Sequence, residues 1–278
     1  MSDPREVLTR RAPGPAHTVR YGSHPDHVAD VWLPDTATRP NGPTPFVLFV
    51  HGGFWRAAYD RMHVRPLCND LVARGYAVAS VEYRRVGQPG GAWPGSFDDL
   101  ALAFDTVPAL VGDLTSGELA PPVLAGHSAG GHVALWGAVR HRLPDGAQWQ
   151  LPEAPVITGV LALAPVADLA DAYRRGLGAG ATAELLGGGP EEFPARYAAT
   201  DPGTLPPPEA PAVLVHGSLD DRVPVDQSRR YADRPAAGQR PGPRLFELPD
   251  VEHFGVIDPL SAAWPAVVVA LADLAPRS

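Results

Sequence analysis

The sequence predicts a single α/β domain, in which a mostly parallel sheet is covered by helices on both faces. Two observations carry this prediction. Short apolar runs typical of buried strands alternate along the chain with segments of helical periodicity, and this order is characteristic of parallel sheets. Hydrophobic residues make up 45% of the 278 residues, which is enough for a packed core even with 29 Gly and 33 Pro.

The strands and helices are predicted from apolar periodicity and from the residues that end each segment. FVLFV at 46–50 is a continuous apolar run, typical of a strand buried on both faces. Residues 61–74 have helical periodicity and end before Gly75. Ser96 is expected to cap a helix over 97–110, with Asp98 and Asp99 in its first turn. Further strands are predicted at 28–33, 76–83, 123–125, 156–164, 212–216 and 244–248, and further helices at 130–140, 226–233 and 261–274.

Residues 1–17 are predicted to form an N-terminal arm, and residues 18–278 a single domain. Within that domain, the alternation of strands and helices breaks around 165–210. This stretch contains GGGP and PPP but is also supplied with Leu, Tyr and Phe. We therefore expect a cap-like or lid-like insertion over the edge of the sheet.

The composition excludes several kinds of chemistry. All 23 basic residues are arginines, so Schiff-base enzymes, pyridoxal-phosphate enzymes and P-loop NTPases lack the lysine they need. The net charge of −8 argues against a nucleic-acid partner. Cys68 is the only cysteine, which excludes an internal disulfide and cysteine-rich zinc sites. We expect no metal and no cofactor.

No targeting or membrane segment is evident in the sequence. The first fifteen residues, MSDPREVLTRRAPGP, contain no apolar signal-peptide region, and no apolar run is long enough for a membrane helix. We therefore expect a soluble cytoplasmic protein with no membrane partner. A homodimer is possible.

The segment GHSAG at 126–130 matches the G-x-S-x-G nucleophile elbow. In such an elbow, two glycines allow a strand to turn sharply into a helix, so that the intervening serine stands exposed at the helix N-terminus. A predicted strand precedes this motif and a helical pattern follows it. Ser128 is therefore the candidate nucleophile.

A second motif, HGGFW at 51–55, follows the FVLFV strand. Acyl transfer needs backbone N–H groups directed at the oxygen that becomes negative, and glycines let the backbone approach closely. The loop matches the HGGG-type oxyanion motif, with a further donor expected after the nucleophile. The candidate oxyanion-hole residues are Gly52, Gly53, Phe54 and Ala129.

The acid and the base are expected later in the chain, each after a strand. Asp220 lies in HGSLDDRVP and His253 in VEHF. A histidine would take the proton of Ser128, and a buried carboxylate would fix the ring tautomer. Asp221 is the alternative acid. Trp55 and Phe254 are candidate substrate-pocket residues, although core packing is an equal alternative for Trp55.

Other conspicuous residues have simpler predicted roles. We expect His51 to brace the oxyanion loop, His127 and His132 to pack around the elbow, and Cys68 to lie in the core. Glu82 and Arg84 are expected to form structural ion pairs. The adjacent Glu191 and Glu192 are expected on a solvated face.

Together, HGGFW, GHSAGG, HGSLDDRVP and VEHF resemble the α/β-hydrolase superfamily, and within it the hormone-sensitive-lipase-like esterases. The HGG-x-W form is similar to that of kynurenine formamidases (arylformamidases), and the resemblance covers nearly the whole chain after about residue 17. It implies an α/β-hydrolase fold with Ser128, Asp220 and His253 as a catalytic triad. It also implies hydrolysis of small carboxylic esters or aryl formamides through an acyl-enzyme.

Three alternatives stay open at this point. A peptidase of the prolyl-oligopeptidase type would carry an N-terminal propeller that this sequence lacks. An acyltransferase would need to exclude water from the site. A non-catalytic ligand-binding module on the same scaffold is also possible, because fold alone does not fix function.

Overall fold

The computed structural model describes residues 5–35, 42–115, 119–235 and 242–275. Residues 1–4 of the predicted N-terminal arm lie outside the described residues. Within those ranges the chain forms an eight-stranded sheet flanked by eight α-helices and several short 3₁₀ turns. None of the described helices combines the length and the apolar character needed to span a membrane.

The sheet is mostly parallel and has the strand order β1-β2-β4-β3-β5-β6-β7-β8. Only β1 and β2 pair in antiparallel fashion with their neighbours, at one edge of the sheet. From β3 onward every pairing is parallel, so the strands between β3 and β8 all end at the same edge. The strands are β1 (His17–Arg20), β2 (Val28–Trp32), β3 (Phe46–Val50), β4 (Ala77–Val81), β5 (Val123–His127), β6 (Gly159–Leu163), β7 (Ala212–Gly217) and β8 (Arg244–Leu248).

The helices connect these strands and cover both faces of the sheet. Between β6 and β7 three helices, α4 to α6, occupy the stretch in which the sequence pattern breaks. The helices are α1 (Arg65–Ala73), α2 (Gly95–Gly112), α3 (Ala129–Ala138), α4 (Leu169–Arg174), α5 (Leu177–Leu186), α6 (Pro194–Thr200), α7 (Asp226–Ala232) and α8 (Trp264–Ala272).

Two hydrophobic clusters account for the core, one on each side of the sheet. Alternate residues of β3 divide between them, with Leu48 in one cluster and Val47 and Phe49 in the other. Because successive strand side chains point to opposite faces, an apolar run without alternation must be covered on both sides. The continuous FVLFV pattern therefore reflects a central strand.

Most predicted elements are confirmed, with small shifts at their ends. The bounds of β3 and β8 agree with the prediction. The helix predicted over 61–74 is a 3₁₀ turn, Arg61–Val64, followed by α1. Helix α2 begins at Gly95, so the prediction that Ser96 caps it was wrong. The Ser96 hydroxyl instead donates to the carbonyl of Arg84 at 2.6 Å.

The first described residues pack onto the domain. A 3₁₀ turn, Glu6–Leu8, buries Val7, which is 1% exposed and belongs to the same cluster as Val64 and Ile257. Strand β1 starts at His17, the last residue of the predicted arm. Residues 5–8 are therefore held by core contacts.

Candidate active site

Ser128 lies in the sharp turn between β5 and α3, with φ 56° and ψ −117°. This backbone conformation is rare for a residue with a side chain and persists only where neighbouring groups fix it. Here the Ser128 amide donates to the carbonyl of Leu163 at 2.8 Å, and the Ser128 carbonyl accepts from the amide of His132 at 3.1 Å. The backbone of the candidate nucleophile is thus tied to β6 and α3.

Gly130 explains why the elbow requires glycine. A Cβ at this position would lie 2.0 Å from the carbonyl oxygen of Val50, at the end of the neighbouring strand β3. Because that oxygen belongs to the backbone of a central strand, it cannot yield without displacing the sheet. The close approach brings the start of α3 directly against the beginning of the HGGFW loop.

The HGGFW loop has left-handed backbone at three successive residues. Gly53 has φ 116°, Phe54 φ 50° and Trp55 φ 57°. Gly53 and Phe54 line the same cavity as Ser128, whereas Gly52 and Ala129 are buried and are not among its lining residues. Ala129 is the first residue of α3, and the first amides of a helix have no partner within the helix.

His51 braces this loop from the core, as expected. Its Nε2 lies 2.9 Å from Oε1 of Glu82, and its Nδ1 donates to the carbonyl of Gly52 at 2.8 Å. The ring also stacks on Tyr83, with centroids 5.0 Å apart. Burial opposes ionisation of Glu82, but His51 and the nearby Arg85 outweigh it and lower the pKa of Glu82 to about 2. The HGGFW loop is therefore anchored through His51 to the buried carboxylate of Glu82.

Asp220 and His253 are brought together at the ends of β7 and β8. Nδ1 of His253 lies 2.6 Å from Oδ2 of Asp220. The Asp220 side chain is fully buried, whereas the side chain of Asp221 is 74% exposed and pairs with Arg222. Of the two acids that the sequence left open, only Asp220 contacts the histidine.

A second histidine, His216, supports the same carboxylate. Its Nε2 donates to Oδ2 of Asp220 at 3.0 Å and to the carbonyl of Val223 at 2.9 Å. The other oxygen of Asp220 accepts the amides of Arg222 and Val223, both at 2.8 Å. Burial alone would raise the pKa of Asp220, but hydrogen bonds from His216 and His253 hold it well below the ordinary value.

His127 packs beside the elbow, as expected, and also holds the backbone of the candidate base. Its Nε2 lies 3.0 Å from the carbonyl oxygen of His253, and the two rings have centroids 4.5 Å apart. Burial and the proximity of His253 lower the pKa of His127 well below its ordinary value. Because the ring is neutral and a carbonyl only accepts, the proton of His127 is on Nε2.

The serine and the histidine open into one cavity of about 560 Å³. Ser128 and His253 both line it, and neither the Ser128 hydroxyl nor Nε2 of His253 has a hydrogen-bond partner among the described residues. Both groups are therefore available to a molecule in the cavity. Its walls come from the HGGFW loop, from residues 176–179 at the start of α5, and from the N-terminal turn.

Of the two candidate pocket residues, one lines the cavity and the other does not. Phe254 and Phe54 line the cavity. Trp55 does not, because it is 1% exposed and its ring packs edge-on against His132 at 5.3 Å. Of the two roles left open for Trp55, the structure shows core packing, so its assignment to the substrate pocket is corrected.

The remaining residues singled out in the sequence have structural positions. Cys68 is fully buried, and Glu191 and Glu192 are exposed. Asp98 lies in the first turn of α2, as predicted, whereas Asp99 follows that turn and is a buried partner of Arg84 and His27, so its predicted place in the first turn was wrong. Among the described residues, no group of three or more His, Cys, Asp or Glu side chains is placed to hold a metal ion.

The sequence patterns indicated no role for three residues that the structure brings to the site, which are His216, Arg5 and Leu8. His216 stands in the HGSLDD motif, and its spacing of four residues before Asp220 was the available signal. Arg5 and Leu8 also line the cavity, but the N-terminal sequence carries no pattern that would have indicated this.

Comparison with known proteins is consistent with this geometry. The chain is similar to esterase LipC of Mycobacterium tuberculosis, with 27% identity over 260 residues, 91% of this chain and 63% of LipC. Isoprenylcysteine alpha-carbonyl methylesterase ICME of Arabidopsis thaliana is 26% identical over 228 residues, 78% of this chain and 51% of ICME. The chain thus spans less than two thirds of the length of either relative.

The fold is shared with solved esterase structures. A truncated carbohydrate esterase from gut microbiota matches with a TM-score of 0.73 at 18% identity, covering 94% of this chain and 99% of that chain. The predicted α/β-hydrolase fold is confirmed. A family model described as BD-FAE matches residues 29–234, a range that contains the HGGFW loop, the elbow and Asp220. Because this match covers well over half of the sequence, we conclude that the chain belongs to the BD-FAE family.

Proposed function

We propose that this protein is a serine hydrolase that cleaves small carboxylic esters through an acyl-enzyme on Ser128. The observation that carries the proposal is the convergence of three elements on one cavity. Ser128 enters it from the elbow, His253 enters it from the loop after β8, and Asp220 holds His253 from behind at 2.6 Å. The names of the curated relatives, which are esterases, support the same reaction class.

In the proposed mechanism, His253 takes the proton of the Ser128 hydroxyl while the serine oxygen attacks the ester carbonyl carbon. The ionised Asp220 keeps Nδ1 of His253 protonated, so that Nε2 is the nitrogen that accepts. Amides of Gly53, Phe54 and Ala129 stabilise the developing oxyanion. His253 then protonates the departing alcohol. Water attacks the acyl-enzyme in the second half of the reaction, with His253 again as base.

Hydrolysis of p-nitrophenyl acetate by Ser128→Ala tests this proposal. We expect kcat to fall by about 10³-fold or more, because no nucleophile is left to form the acyl-enzyme. Ser23→Ala is the matched control, since Ser23 is exposed and does not line the cavity. A fluorophosphonate probe should label the wild type and Ser23→Ala but not Ser128→Ala. Unchanged hydrolysis in Ser128→Ala would refute the mechanism.

An aryl formamide is the second candidate substrate class, favoured by the HGG-x-W form of the oxyanion loop. The kcat/KM values for N-formylkynurenine and for p-nitrophenyl esters decide between the two. A preference for the formamide of more than about tenfold would make the protein an arylformamidase-type enzyme instead.

A cytoplasmic location and a homodimer stay predictions, and light scattering on the purified chain measures the oligomeric state.

A further inference from the structure

The N-terminal turn forms part of the wall of the candidate active site. Arg5 and Leu8 line the same cavity as Ser128 and His253. Both residues lie outside the range 29–234 that matches the family model. The cavity is therefore completed by a segment that the family pattern does not include.

Contacts with two other parts of the chain hold this segment in place. The turn Glu6–Leu8 packs against the 3₁₀ turn Arg61–Val64, which follows the HGGFW loop. Two residues after the N-terminal turn, Arg10 forms a bidentate ion pair with Asp258, in which one guanidinium nitrogen lies 3.0 Å from Oδ2. Asp258 directly follows the turn Gly255–Ile257, just after His253. The segment thus contacts the turn that follows the HGGFW loop and the residue that follows the turn after His253.

Leu8 brings an apolar side chain to a cavity that has other apolar residues in its wall. Phe54, Leu177 and Phe254 line the cavity as well, from three different parts of the chain. Leu8 itself is partly buried against the cluster that contains Val7. Aliphatic and aromatic side chains of this kind can pack against a saturated hydrocarbon chain, with each buried methylene improving binding by roughly fourfold.

We propose that Leu8 is a specificity-determining residue, whose side chain contacts a saturated hydrocarbon chain of the ester substrate. The Arg10–Asp258 ion pair acts as a positioning contact that holds Leu8 in the wall. This inference rests on the proposed esterase function. The hydrocarbon chain belongs either to the acyl group or to the alcohol, and two substrate series distinguish these sources.

The test measures kcat/KM against chain length for wild type, Leu8→Ala and Leu8→Trp. One series is the p-nitrophenyl esters from acetate to dodecanoate, and the other is the acetates of alcohols from ethanol to octanol. We expect Leu8→Ala to shift the preferred chain to a longer length and Leu8→Trp to a shorter one. At the chain length that the wild type prefers, each variant should lose about fourfold to tenfold. The series that shifts identifies the chain that Leu8 contacts.

Leu102→Ala is the matched control, because Leu102 is 37% exposed on α2 and does not line the cavity. Its chain-length profile should equal that of the wild type. Arg10→Gln should change two constants to different degrees. The factor by which it raises KM for the ester with the preferred chain should exceed the factor by which it lowers kcat for p-nitrophenyl acetate. Leu8→Met and Leu8→Phe change the shape of the side chain with little loss of packing, and they replace the two variants above if those fail to fold.

The results separate this inference from the proposed function. If the folded Leu8 variants keep the wild-type profile within about twofold in both series, the inference is overturned while the esterase proposal stands. If wild type hydrolyses neither series, the proposed function itself fails. Thermal unfolding and labelling of Ser128 by a fluorophosphonate establish that each variant is folded.

Discussion

Nδ1 of His253 lies 2.6 Å from Oδ2 of Asp220, and that same oxygen accepts a second hydrogen bond from His216 at 3.0 Å. The carboxylate is therefore held between two imidazole rings in a fully buried position. These bonds favour the ionised form and hold the pKa of Asp220 well below its ordinary value, although burial alone would raise it. The orientation of the His253 ring is thus fixed through Asp220 by His216, which belongs to the neighbouring strand β7.

Asp220→Asn should reduce kcat for p-nitrophenyl acetate by about 10³-fold to 10⁴-fold. The amide cannot hold Nδ1 of His253 in its protonated tautomer, so Nε2 would no longer accept the serine proton. The neighbouring Asp221→Asn should change kcat by less than about threefold, since the Asp221 side chain borders the cavity but is 74% exposed and pairs with Arg222 rather than with His253. Equal losses in the two variants would contradict the assignment of the acid.

His127→Leu should lower kcat by about tenfold with a smaller change in KM. The variant removes the N–H that holds the His253 carbonyl at 3.0 Å, so the candidate base loses a backbone anchor. His132→Leu is the control, because His132 makes a comparable buried bond to the carbonyl of Thr200 at 2.9 Å, away from His253.

Both histidine variants should lose about 1–3 kcal/mol of unfolding free energy, since each leaves a buried carbonyl unpaired. Only His127→Leu should lower kcat when activity is measured well below the unfolding temperature. If the two variants lose activity in parallel, His127 has a purely structural role.

Gly130→Ala should abolish folding or cost more than about 4 kcal/mol in urea unfolding. The added Cβ would meet the carbonyl oxygen of Val50 at 2.0 Å, and neither backbone can move without opening the sheet. Gly112→Ala, at the last residue of α2, has no heavy atom within 4 Å of the new Cβ. Its stability should change by no more than about 1 kcal/mol. Similar stability in both variants would mean that the elbow is not tightly packed.

Asp201 should make the stability depend on pH between about 4 and 6. Its carboxylate accepts the amides of Leu169, Ala170 and Gly203 at 2.8 to 3.1 Å, and burial nevertheless raises its pKa from 3.8 to about 6. Since the folded-state pKa is above the unfolded value, the contribution is full below pH 4 and is lost as pH rises through 6.

Urea unfolding of wild type and Asp201→Asn at pH 4, 5, 6 and 7 measures this contribution. The stability of the variant relative to wild type should rise by about 2 kcal/mol across the series. Asp145→Asn, an exposed position, should keep the wild-type slope. A constant difference between wild type and Asp201→Asn would show that the pKa of Asp201 does not change on folding.

The parts of the fold that the sequence predicts well are those with a strong local signal. The run FVLFV predicts β3 because a strand covered on both faces cannot carry polar residues. The candidates Ser128, Asp220 and His253 can be named from the sequence because each follows a strand in a short motif that leaves few alternatives. In each case the physical requirement is visible within a few residues of the chain.

The parts that the sequence does not predict depend on distant contacts. Strand β1 has the pattern HTVR and is largely exposed at the sheet edge, so it lacks an apolar run. Trp55 is the last residue of the HGGFW loop, but its backbone is left-handed and its ring is buried in the core. The places of Arg5 and Leu8 depend on contacts with residues more than fifty positions away.

The position of the N-terminal turn has a practical consequence for protein production. A purification tag fused to the N-terminus would extend from a segment that borders the cavity at Arg5 and Leu8. Helix α8, near the other end of the chain, contributes no residue to that cavity. Activity should therefore be compared between N-terminally and C-terminally tagged protein, because only the first tag is joined to the segment that borders the cavity.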